Sequence, residues 1–147
     1  MVEFLIKLAG AWIATWGFAY LVKTPGKFRL YAAGVGTLGW AVYLITEMVS
    51  DGVMMKNFLA ALAVAILSRM MARHFKAPVT VFVIPGILPL VPGAGMYQIV
   101  YASVMGPGEM VGTYVIQTLQ IAGVIALGIF LADTVQKVIT PKGFKKI

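Results

Sequence analysis

The chain has 147 residues, of which 61% are hydrophobic and 12% charged, with a mean hydropathy of +0.92 and a formal net charge of +7. That apolar fraction exceeds what a water-soluble core uses and excludes an ordinary soluble domain. Cysteine is absent, which excludes disulfides and thiolate metal sites and leaves the redox compartment unread.

A helix needs about 20 apolar residues to cross a hydrocarbon layer of roughly 30 Å, and the chain supplies that length repeatedly. The expectation is an all-α membrane protein of about five spans, forming one polytopic domain over residues 1–147. The first span covers about 2–22. Its leading Met1-Val2-Glu3-Phe4 lacks a basic region, and no clear small-residue cleavage site follows, so it reads as a retained helix rather than a signal peptide. The second, about 30–50, carries Gly34, Gly36 and Gly39, with Ala32 and Gly36 in the small-xxx-small spacing that lets helices approach closely in lipid. The third, about 53–72, opens with Lys56 and Asn57 near a membrane face, where a long cationic side chain is expected to snorkel to the headgroups.

The fourth span, about 79–105, is longer than one straight crossing and holds Pro85, Gly86, Pro89, Pro92, Gly93 and Gly95. Each proline removes a backbone donor and clashes with the carbonyl four residues back, costing about 3 kcal/mol or more in a helix interior. Lipid offers no water to the freed carbonyls, so such backbone persists only where protein covers it or a watery cavity bathes it. The segment therefore reads as a broken helix lining a pathway. The amino-terminal end of a half-helix carries partial positive charge suited to a carboxylate, and Gly86, Gly93 and Gly95 would let backbone approach closely. The bland alternative is a proline kink covered by neighbours, with no ligand contact. Gly106-Pro107-Gly108-Glu109 is a turn, and the fifth span, about 110–132, precedes a short polar tail.

The basic residues occupy alternate connections. Lys23, Lys27 and Arg29 lie between spans one and two, Arg69, Arg73 and Lys76 between three and four, and Lys137, Lys142, Lys145 and Lys146 after span five. The other side carries Glu3, Asp51 and Glu109 with Lys7 and Lys56. This pattern argues against nucleic acid as a partner. By the positive-inside bias it sets the amino terminus outside and the carboxyl terminus in the cytoplasm.

Catalysis has little support. The single histidine, His74, sits among Arg73, Phe75 and Lys76 at a membrane boundary and lacks local partners. Gly93-Ala94-Gly95 is not followed by the ending of a Walker phosphate loop. No catalytic residue, metal or cofactor is expected, and energy would come from an ion gradient, a substrate gradient or another subunit. Beyond the break, Tyr97 and Tyr101 share a helix face beside Gln98, and Thr113, Gln117 and Gln120 form a polar stripe on span five. The stripe reads equally as interhelical glue or as pathway lining. Glu47, about a turn inside the outer boundary, is the leading candidate for ion coupling, and Asp133 the second. Arg73 and Lys76 are candidates to attract an anion on the cytoplasmic side, although orientation alone explains them.

Pro85-Gly86, Pro89, Pro92-Gly93 and Tyr97, preceded by the basic stretch Arg73 to Pro78, resemble the signature of the threonine/serine exporter family, in its carboxyl-terminal membrane half. The connection Thr24 to Arg29 leading into Gly34 to Trp40 is similar to that family too. The resemblance covers most of the chain. It implies export of small carboxylate-bearing metabolites and leaves the substrate open, fused members of the family being associated with threonine and serine and a split pair with succinate. It also implies a bacterial cytoplasmic membrane and a separate partner subunit carrying the other half of the exporter. It carries over no individual binding residue. Within this reading the substrate pathway comprises Pro85, Gly86, Pro89, Pro92, Gly93, Gly95, Tyr97, Gln98 and Gln117. The competing readings are a noncatalytic membrane scaffold for another protein, and a channel.

Overall fold

The computed structural model describes residues 2–139. Its helices are α1 (Val2–Leu21), α2 (Gly26–Val49), α3 (Val53–Phe75), α4 (Thr80–Ile87), α5 (Gly93–Val104) and α6 (Val111–Ile139). Short 3₁₀ turns at Leu88–Leu90 and Gly108–Met110 follow α4 and precede α6. Four helices are long and apolar enough to cross a membrane, and α4 with α5 makes a fifth span bent by 49°. The protein is thus an all-α membrane protein whose fourth span is broken by proline and glycine. Lys142, Lys145 and Lys146 of the tail lie outside the described residues.

Helix ends overshoot the apolar spans where polar residues continue the helix. α2 begins at Gly26, four residues before the expected 30, because Pro25 is what stops it; Lys27 and Arg29 simply extend the helix towards water. α3 continues past 72 through Arg73 and His74 and ends at Lys76, in the left-handed conformation with φ 51°. Lys23 ends α1 in the same way, with φ 56°. At both ends the next amide bonds five residues back, Thr24 to Ala19 and Ala77 to Ala72, closing helix carbonyls that lipid would leave bare. Proline follows each at Pro25 and Pro78, where a helix cannot continue. α6 likewise runs beyond 132 to Ile139.

α3 is the central element and packs on α2, α4 and α6. Its buried face is Asn57, Ala60, Ala61, Val64, Ala65, Ser68 and Ala72, small residues at helical spacing. α2 meets it at Gly39, where a Cβ would lie 2.2 Å from Val64 Cγ2, and meets α1 at Gly36, where a Cβ would lie 2.5 Å from Thr15 Oγ1. The expected close packing through the α2 glycines is therefore realised on two sides of that helix. Contacts advance together along α3 and α6, Gly128 against Ala61 and Asp133 against Arg69, so these helices run parallel with α4 and α5 between them in sequence. α5 packs on α6 and has no comparable packing against α1, α2 or α3.

The fold gathers charge at opposite ends. Phe28, Phe75 and Phe82 meet with centroids 5.5 to 6.2 Å apart, bringing Lys27, Arg29, Arg73 and Lys76 to one basic end. Arg29 Nε donates to Thr24 O at 2.8 Å and its guanidinium lies over the Tyr20 ring, pinning the first connection. Glu3, Lys7, Glu47, Asp51 and Lys56 belong to the other end.

Candidate functional site

The break is built from three prolines acting in sequence. Pro85 sits inside α4, buried against the bundle. The chain then tightens into the Leu88–Leu90 3₁₀ turn around Pro89. Val91 is extended (φ −58°, ψ 132°), as the residue before a proline prefers. Pro92, at φ −74° and ψ 59°, is the centre of an inverse γ-turn closed by Gly93 N donating to Val91 O at 2.7 Å. α5 starts at once, with Pro92 in its capping position and no capping side chain. The amides of Ala94 and Gly95 consequently find no backbone partner among the described residues.

These amides border a cavity of about 380 Å³, lined by Pro89 to Gly95 of the break together with Trp40, Tyr43, Val53, Asn57 and Ile121. Trp40 and Tyr43 are stacked, 4.7 Å between centroids and 4° between planes. Asn57 is buried, and its Nδ2 donates to Val53 O at 2.7 Å. Trp40 and Pro89 also wall a second cavity, of about 330 Å³, against Lys7, Gly10, Ala11 and Ala14. Lys7 in turn borders a third, of about 160 Å³, with Glu3, Phe4, Leu44, Glu47 and Met48. The three cavities are thus neighbours, sharing Trp40 and Pro89 between the first two and Lys7 between the last two, and the third lies at the end carrying Glu3 and Glu47.

The expected pathway residues divide. Pro89, Pro92, Gly93 and Gly95 line the first cavity. Gly93 faces open space, with nothing within 4 Å of a Cβ placed there. Gly95 instead seats Thr118 of α6, whose Oγ1 would lie 2.3 Å from an added Cβ. Pro85 and Gly86 are buried deeper; Gly86 lets α4 approach Val35 of α2 and Val64 of α3. Tyr97, Gln98 and Gln117 are exposed and do not border the cavity, and Tyr97 stacks on Tyr101 at 6.0 Å. Thr113 and Gln120 are exposed as well, so the stripe on α6 faces away from the packed helices.

Lys56 departs from its expected snorkelling. Its side chain is 10% exposed and its Nζ lies 2.6 Å from Glu47 Oε1 and over the Tyr43 ring at 5.1 Å. A carboxylate on the neighbouring helix within reach holds the ammonium inside the fold, where the headgroups would otherwise draw it. Asp133 is paired with both Arg69 and Lys137, and Arg69 also reaches the Asp133 carbonyl, so this group clasps α3 to α6. Arg73 and Lys76 are exposed at the basic end.

Trp40, Tyr43 and Asn57 were not singled out as pathway residues from sequence. The available signal was two aromatics three apart inside a glycine-rich span, and an amide a turn inside the next.

Helices of this length and apolarity around a proline-broken span that borders a cavity fit a multi-pass membrane protein of the transporter class. The sequence profile of the family described as "Threonine/Serine exporter, ThrE" matches residues 7–135, and the chain belongs to that family. It is a membrane exporter of threonine/serine type, a transporter rather than an enzyme by family. Neither the curated proteins nor the solved structures give a match to it.

Proposed function

We propose that this chain is one subunit of a two-component secondary exporter of small carboxylate-bearing metabolites, threonine and serine or succinate-type dicarboxylates, in a bacterial cytoplasmic membrane. The observation that carries this reading is the break itself, where Gly93 and two residues of α5 whose amides have no backbone partner among the described residues border a 380 Å³ cavity. A carboxylate there would accept from the amides at the positive end of α5. The cavities beyond Trp40 and Pro89 support a route to the far end of the bundle.

A separate subunit is supported by α5, which among the described residues packs chiefly on α6 and the turn before it, and by the exposed stripe Thr113, Gln117 and Gln120, since uncovered amides in lipid are costly. In this reading Tyr97, Gln98 and Gln117 complete the pathway with the partner. Glu47 couples transport to protons, because protonating it would release Lys56. Asp133 is the second coupling candidate, although its two cationic partners also suit a purely structural clasp. Arg73 and Lys76 collect anionic substrate at the cytoplasmic face.

The test is export of labelled threonine, serine and succinate from cells carrying this chain with and without its presumed partner. Partner-dependent export of any of them supports the reading; no export with both halves at normal membrane levels rejects these substrates and favours the scaffold. Gly93→Leu adds a side chain at the edge of the cavity, where a Cβ meets nothing within 4 Å, and should lower export at least tenfold at unchanged expression. Glu47→Gln should remove the proton dependence.

A further inference from the structure

We propose that Asn57 sets the specificity of the cavity at the break: its side-chain carbonyl accepts a hydrogen bond from a donor on the bound solute, the ammonium or hydroxyl group of an amino acid. This rests on the reading of that cavity as the substrate site.

Asn57 is 5% exposed, and the surface it keeps borders the cavity, on a different helix from the open amides of α5. Its amide group is half committed. A backbone carbonyl can be met only by the amide nitrogen, and Nδ2 donates one of its two hydrogens to Val53 O at 2.7 Å, which leaves the oxygen Oδ1 and the second Nδ2 hydrogen. Among the described residues no side-chain or backbone donor on the chain takes that oxygen. The nearest cation in sequence, Lys56, is held by Glu47 and Tyr43 instead.

The rest of the wall sharpens this role. Among the described residues no carboxylate lines the cavity. Trp40 brings only a donor, and Tyr43 a hydroxyl that either donates or accepts. Among the described residues Asn57 is therefore the one lining side chain that carries a carbonyl oxygen. A solute with a carboxylate at one end and a donor at the other finds complementary groups, the α5 amides for the first and Oδ1 for the second. A dicarboxylate brings a second acceptor instead, which Oδ1 cannot meet and which is left to Trp40, Tyr43 or the second Nδ2 hydrogen.

The experiment compares export of labelled threonine, serine and succinate from cells carrying both halves, at membrane levels matched by immunoblot. Asn57→Leu removes the acceptor at similar volume and should reduce threonine and serine export by about 5- to 100-fold, the loss of one buried hydrogen bond, while succinate export is unchanged or rises. Asn57→Asp keeps an acceptor at the same place and adds charge; threonine and serine export should be retained and succinate export reduced. Opposite movement of the two substrate classes is a readout that a merely structural asparagine would not give. The proposal is overturned if both substitutions change all three solutes in parallel or not at all. Wild-type export confined to succinate overturns it as well. Gly93→Leu separates the two levels. If that variant blocks export while Asn57 substitutions shift no preference, the cavity reading stands and the role of Asn57 falls. If Gly93→Leu leaves export intact, the cavity is not the site and both fall.

Discussion

Glycine positions that look alike in sequence carry different burdens. A Cβ at Gly39 would overlap Val64, whereas one at Gly34 in the same helix would meet nothing within 4 Å. Gly39→Val should therefore destabilise the protein by about 1–3 kcal/mol, the usual effect of overpacking, and Gly34→Val by much less; thermal unfolding in detergent measures both. Ion pairs differ in a similar way. Lys7 and Glu3 pair on an exposed turn of α1, where such contacts contribute little. Arg69 and Asp133 are largely covered and join two helices far apart in sequence. Asp133→Asn should cost about 1–3 kcal/mol, between the surface and fully buried cases. A charge swap of the pair should recover part of it, which a double-mutant cycle would reveal.

At the level of elements, the broken span is the feature most fully written in local chemistry. Pro92 fixes its own φ and forces Val91 into an extended conformation, so the γ-turn needs little help from the surroundings. Replacing Pro92 with Ala permits α4 and α5 to straighten. Spin labels at the exposed positions Ile84 and Val100 should then move apart towards the ~24 Å of sixteen residues at 1.5 Å each, and export should fall. An unchanged separation would mean that packing of α5 on α6 imposes the bend. Element ends were less legible. Spans counted by apolarity stop where the hydrocarbon does, but α2, α3 and α6 carry on through Lys27, Arg73 and Lys137, because a helix continues until backbone chemistry stops it.

For the whole molecule, the separation of charge into two ends predicts orientation. With no native cysteine to remove, Asp51→Cys should react with a membrane-impermeant maleimide in intact cells, and Lys76→Cys only after permeabilisation. The reverse pattern would invert the topology. The same separation bears on mechanism: the neighbouring cavities lie between the break and the end carrying Lys7 and Glu47, which is expected to face outward. Export along this route would end at the Glu47–Lys56 pair.

Sequence alone determined the membrane class, the number of spans and the position of the break. Hydrophobic length and proline chemistry are properties of a segment, whatever surrounds it. It also distinguished the basic connections from the acidic ones. Only the tertiary structure decided which side chains share the cavity: Trp40 and Tyr43 arrive from α2, Asn57 from α3, Ile121 from α6 and the open amides from α5. It likewise turned Gln117 away from the cavity and folded Lys56 back onto Glu47. The physical reason is the solvent. In water, polarity marks the outward face of a helix, but a helix in lipid is apolar on every side, and its rotation is set by small-residue contacts such as Gly39 on Val64 and Gly128 on Ala61, which exist only once the partner helix is in place.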